Sequence, residues 1–195
     1  MKFKKLSVLF CSLLALTSVT AVSAAETETV SETEAASAEE STVSVADGET
    51  EYPITIQHAY GETVIESKPE RIATVGWENQ DTPLALGIAP VGVSAANYGM
   101  VTENNLHPWT DEAFQELGVD APNVFDDVDG LDFEAISDCD PDVILASYSG
   151  LTQEDYDTLS QIAPVIPYKE NAWQTTWRDQ TIENAEGMGM KAEGS

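Results

Sequence analysis

From about residue 53 onward, apolar residues fall in short dense runs separated by polar breaks marked with Gly and Pro. The clearest stretch runs from 131 to 166, LDFEAISDCDPDVILASYSGLTQEDYDTLSQIAPVI, and reads as helix, strand, loop, helix, strand. Pro141 closes the first helix, because its ring disfavours the helical conformation of the residue before it. Val143-Ile144-Leu145-Ala146 is apolar throughout and β-branched at its start, the pattern of a strand buried on both faces. The chain breaks at Ser147-Tyr148-Ser149-Gly150 and enters a helix over 153–162, capped by Thr152, with Asp155 placed to complete a capping box.

The same rhythm extends upstream and downstream. Residues 52–65 alternate in two segments around Ala59-Tyr60-Gly61-Glu62, which predicts an opening β-hairpin. Buried strands are expected at Ile72-Ala73-Thr74-Val75, Val91-Gly92-Val93 and Val165-Ile166. Short helices are expected over 82–86, with Pro83 in the first turn, and over 111–117; Gly130 introduces a third, and a last one runs from 175 toward Met188. Short buried strands alternating with short helices specify an α/β fold: a Rossmann-like parallel sheet flanked by helices, with the hairpin at its N-terminal side.

Each predicted strand releases an aromatic residue into the loop that follows. These are Trp77, Tyr98, Tyr148, and then Tyr168 with Trp173. In open α/β sheets, ligands bind beyond the carboxyl ends of the strands. Trp77, Trp109 and Trp173 lie in loop-like sequence rich in Gly, Pro, Asn and Thr. Gathered on one edge, such residues line an aromatic cleft; singly, each would only cover the local core.

The ends of the chain have different compositions. Residues 1–24 carry Lys2, Lys4 and Lys5, an apolar run, and small residues before a cleavage point, and so read as a signal peptide. Cys11 raises lipid attachment as a further possibility. Phe10 before it and the apolar run beyond it weigh against that, and anchoring stays open. Residues 25–52 are rich in Ala, Ser, Thr, Val and acid, a composition that cannot bury enough apolar surface to order itself, and read as a disordered acidic linker. That leaves 53–195, one domain's length.

Formal net charge is -27, from 8 Lys and Arg against 35 Asp and Glu. Nucleic acid is excluded as a partner, because it needs clustered bases. With the signal removed, Cys139 is the lone thiol, so no internal disulfide forms. Catalytic chemistry is poorly represented. The two histidines, His58 and His107, form no spaced ligand set for a metal, and Gly92-Val93-Ser94-Ala95-Ala96 is not a nucleophile elbow. No phosphate-cradling glycine motif occurs. Asp126-Asp127-Val128-Asp129-Gly130 resembles a calcium loop but has Ser137 where the twelfth-place Glu belongs, and reads as a solvated acidic turn. The chain is not expected to be an enzyme, nor to carry a cofactor or its own metal.

These segments together resemble the iron-siderophore substrate-binding proteins of ABC importers, which have two α/β lobes joined by one long helix. The resemblance rests on HAYGET at 58–63, KPERIATVGW at 68–77, LALGIAPVGV at 84–93, FEAI at 133–136, PDVILA at 141–146 and IAPV at 162–165. It implies capture of a ferric siderophore outside the cytoplasmic membrane and delivery to an ABC permease, with iron held by the chelator and the protein acting as a monomer. On that reading Trp77, Asn79, Tyr98, Tyr148, Trp173 and Arg178 bind ligand. Trp77 and Tyr148 would pack on the chelator, and Arg178 would pair with its oxygens. Glu134 matches the acid by which the family docks onto its permease. Residues 53–195 then correspond to an N-terminal lobe truncated before the second lobe, with weak or no ligand binding expected of it alone. The scarcity of bases weighs against a highly anionic catecholate complex, although a second lobe would be able to supply them. Haem or a cobalamin-like ligand is the alternative within transport, with Met100, Tyr98 or His107 as axial donors; a secreted interaction module is the alternative outside it.

Overall fold

The computed structural model describes residues 50–195. The predicted signal peptide and all but the end of the predicted linker lie outside them. The chain opens with a hairpin of β1 (Ile54–His58) and β2 (Gly61–Ile65), turning at Ala59-Tyr60 with Ile54 opposite Ile65. Five parallel strands follow: β3 (Ile72–Thr74), β4 (Gly92–Ser94), β5 (Val124–Phe125), β6 (Val143–Ala146) and β7 (Val165–Pro167), in the order β5-β4-β3-β6-β7. The helices are α1 (Asp81–Ala85), α2 (Pro108–Glu116), α3 (Phe133–Asp138), α4 (Gln153–Leu159) and α5 (Trp177–Gly187).

Alternation along β6 explains how the core is divided. Ile144 and Ala146 face one side, where they join Ala73, Ile136, Leu159 and Val165. Val143 and Leu145 face the other, with Ile72, Ile166, Met188 and the hairpin's Ile56 and Ile65. A third cluster of Leu84, Val93, Leu106 and Phe114 seats α1 and α2 beside β4. Helix α5 comes very close to the sheet: a Cβ on Gly187 would stand 2.6 Å from Ile166 Cγ1 and 3.0 Å from Leu145 Cδ2.

Several expectations need correction. Trp109 is helical, because α2 starts at Pro108, where a missing N–H costs nothing. Strand β5 was not expected, since two residues carry no periodicity. Helix α4 ends at Leu159 rather than 162, and α5 begins at Trp177 with Thr176 as its cap. The composition extends the expected linker to residue 52. Tyr52 instead packs on the second core cluster, and the Thr50 hydroxyl donates to the Gly189 carbonyl at 2.6 Å. The capping box of Thr152 and Asp155 is present in both directions.

Candidate functional site: an aromatic hollow at the strand ends

Strand order reverses at β3. The chain runs outward through β4 and β5, then returns to place β6 and β7 on the other side. The crevice between the β3 and β6 loops is therefore a topological switch point, where doubly wound sheets bind ligands. A cavity of about 350 Å³ opens there. All five parallel strands supply a loop to it: Gly76 and Trp77 after β3, Ala95 and Asn97 after β4, Asp127, Val128, Gly130 and Leu131 after β5, Ser149 to Leu151 after β6, and Trp173 after β7.

Two glycines let the walls close. Gly76 has φ +82, and a Cβ there would fall 2.8 Å from both Ser149 Cβ and the Tyr148 carbonyl oxygen. Gly150 lies flat against Trp173; a Cβ on it would be 2.5 Å from the indole nitrogen. Trp173 is further fixed by its amide, which donates to the Ser149 carbonyl at 3.1 Å, and by Tyr148, whose ring stands edge-on at 5.4 Å. The Trp77 amide donates to the Tyr148 carbonyl at 3.1 Å. Tyr98, 77% exposed, lies 6.5 Å from the Trp77 ring. Trp77 and Trp173 thus line the hollow, Tyr98 extends the Trp77 wall, and Tyr148 supports Trp173 from behind.

Asn79 is a correction. It has no exposed surface, and its amide is spent inside the protein. Its Nδ2 donates to the Val75 and Tyr148 carbonyls at 2.8 and 3.0 Å, and its Oδ1 accepts from the Tyr148 amide at 3.2 Å and the Asn184 amide group at 3.1 Å. It ties the β3 and β6 loops to α5. Arg178 also lies outside the cavity; its guanidinium sits over the Trp177 ring at 4.5 Å, on the first turn of α5. Glu134 is exposed in the first turn of α3, at the same end of the sheet as the hollow.

The hollow has a polar floor that no sequence motif marks. The Ser94 hydroxyl accepts from the Gly76 amide at 3.1 Å and donates to Asp127 Oδ2 at 2.6 Å, so Asp127 is pinned beneath the opening. The sequence predicts a solvated acidic turn at Asp127; the two-residue β5 carries that turn to the rim. His107, a haem-donor candidate, is 6% exposed, stacked on Trp109 at 4.4 Å and edge-on to Trp77 at 5.7 Å. At the start of α1, burial and the nearby Glu78 push the Asp81 carboxyl up to about 6, against the pull of His107. On α5, burial lifts Glu183 to about 7 although Lys169 stands 3.5 Å away.

A family model described as periplasmic binding protein matches residues 72–195. The chain belongs to the periplasmic binding protein family. Periplasmic binding proteins similar to it include PiaA of Streptococcus pneumoniae TIGR4, crystallised in complex with ferrichrome: 56% identity, TM-score 0.70, over 72% of this chain and 46% of that one. A periplasmic solute binding protein of Mycobacterium smegmatis is 30% identical with a TM-score of 0.64, over 73% of this chain and 48% of that one. The probable siderophore-binding lipoprotein YfiY of Bacillus subtilis (strain 168) is 28% identical over 98% of this chain and 51% of its own length. The chain therefore spans about half the length of the periplasmic binding proteins it matches.

Proposed function

We propose that this chain is the ligand-binding N-terminal part of an extracytoplasmic solute-binding protein that captures a ferric siderophore for an ABC importer. One observation carries the reading: two tryptophans, Trp77 and Trp173, line a hollow to which every parallel strand sends a loop. Large rigid aromatics suit a bulky chelate whose metal is already fully ligated, because they offer contact area with little loss of side-chain entropy. The likeness to PiaA, crystallised in complex with ferrichrome, supports the same reading. Trp77, Tyr98 and Trp173 form the contact surface, Tyr148 and Asn79 hold it, and Glu134 is the permease-docking acid. Arg178 reaches the ligand only if it leaves Trp177. Haem is less favoured, since His107 is buried, 6% exposed, and its Nδ1 is engaged by the Met100 carbonyl at 3.2 Å.

The test is a tryptophan-fluorescence titration of the chain with ferric siderophores, with the iron-free chelators, hemin and cobalamin as comparisons. Saturable quenching by a ferric siderophore, weaker than micromolar, is expected. Submicromolar affinity would contradict the idea that these loops form one wall of a larger cradle. A Soret band on adding hemin, with no response to any siderophore, would overturn the assignment.

A further inference from the structure

The charge of the hollow points further than its aromatic lining. Among the described residues, the charged ones that line it are Asp127 and Asp155. Asp155 is committed to the α4 cap, where its Oδ2 accepts from the Thr152 amide at 2.9 Å and hydroxyl at 2.7 Å. Asp127 belongs to no helix cap. It is held by Ser94, which the Gly76 amide fixes in turn, so its carboxylate cannot swing out of the opening without breaking a 2.6 Å bond.

No base among the described residues offsets these acids. Arg71 precedes β3, at the opposite end of the sheet, where its Nε donates to the Asp140 carbonyl at 2.6 Å. Lys68 lies in a groove with Glu66 and Asp142, beside the β2 end. Lys169 pairs with Glu183 at 3.5 Å and Lys191 with Glu186 at 3.0 Å. Arg178 is over Trp177.

We propose that Asp127 is a specificity-determining residue, a fixed negative charge that turns away anionic ferric chelates and leaves electrically neutral ones, of the ferric trishydroxamate class, as cargo. The inference rests on the siderophore reading above. A neutral complex brings three hydroxamate charges to balance the three of iron(III), so it meets Asp127 with no net repulsion. A ferric triscatecholate carries three uncompensated negative charges, each repelled by Asp127, and no cation among the described residues lines the hollow to offset this. Removing one fixed charge a few ångströms from such a ligand is worth roughly fivefold or more in Kd at a partly exposed site.

The experiment compares ferrichrome, as the neutral probe, with ferric enterobactin, as the triscatecholate probe, on the unmodified chain and on D127N. Asn keeps an oxygen for the Ser94 hydroxyl, so the loop is retained; thermal unfolding checks this, and D127S serves if D127N is poorly folded. The unmodified chain is expected to bind ferrichrome more tightly. D127N should tighten enterobactin by about fivefold or more at low salt, with ferrichrome changed less than twofold, and the gain should shrink in 0.5 M salt, where screening is short-ranged. Tighter binding of enterobactin by the unmodified chain, or an equal response of both ligands to D127N, would overturn the charge filter and leave the siderophore reading standing. Absence of binding by both, to millimolar concentration, would remove the siderophore reading itself.

Discussion

Asn79 and Tyr148 are joined through both ends of one amide: Asn79 Nδ2 donates to the Tyr148 carbonyl at 3.0 Å, and Asn79 Oδ1 accepts from the Tyr148 amide at 3.2 Å. The side chain thereby copies a strand pairing across the crevice where β3 and β6 end. Gln180 and Asn184 close the same hub from α5 at 3.2 and 3.1 Å. Replacing Asn79 by Ala leaves several buried donors and acceptors without partners, which costs about 2–4 kcal/mol. Urea unfolding of N79A should show a loss in that range. A loss below about 0.5 kcal/mol would mean the hub is not structural.

Gly150 tests how closely the Trp173 wall is set. In G150A the new methyl would occupy space 2.5 Å from the Trp173 indole nitrogen, so the ring must move. The backbone there does not need a positive φ, and stability should fall only modestly, by about 1–2 kcal/mol. Ligand affinity should drop more than tenfold, with a red-shifted tryptophan emission. An unchanged affinity would show that Trp173 does not form the binding surface.

Arg178 gives a contrasting case. Its guanidinium is occupied by Trp177, outside the hollow. R178A should change siderophore affinity less than about threefold, whereas W173A should abolish measurable binding. A tenfold loss in R178A, read by the same fluorescence titration, would return Arg178 to the ligand-contacting set.

The two displaced carboxyls set a direction for pH dependence. Asp81 and Glu183 titrate near 6 and near 7 in the fold, both raised chiefly by burial, against ordinary carboxylate values near 4 when unfolded. The folded state therefore binds more protons than the unfolded state between about pH 4 and 7, and stability falls as pH rises through that window. Below it both groups are protonated in either state, and their unfavourable contribution vanishes. Melting temperature should be higher at pH 5.5 than at pH 8, and E183Q should flatten the difference. A melting temperature that climbs with pH over this range would contradict the assignment.

The sheet was legible because buried parallel strands announce themselves. Val143-Ile144-Leu145-Ala146 has no polar residue for solvent, and Thr152 with Asp155 spells the cap of α4. The aromatic residues after the strands were legible for the same reason, since a strand's end fixes where its loop emerges. What stayed hidden was tertiary. Val124-Phe125 pairs only because β4 presents an edge to it, and with β5 went the placement of Asp127 on the floor. Asn79 looked like a cleft residue from its position alone. Only the approach of Tyr148 and α5 shows that its amide is consumed internally. Trp109 sits one residue into α2, a start that Pro108 permits but that a neighbourhood of loop-forming residues concealed.

Amide chemical shifts mapped with a gallium(III)-loaded trishydroxamate, the diamagnetic counterpart of the ferric complex, test the siting of the ligand most directly. Perturbations should concentrate at Gly76-Trp77, Ala95 to Asn97, Asp127 to Leu131, Ser149 to Leu151 and the Trp173 indole. Perturbations centred instead on the opposite sheet end, around Arg71, Asp140 and Pro164, would place the ligand elsewhere and contradict the aromatic hollow as its seat.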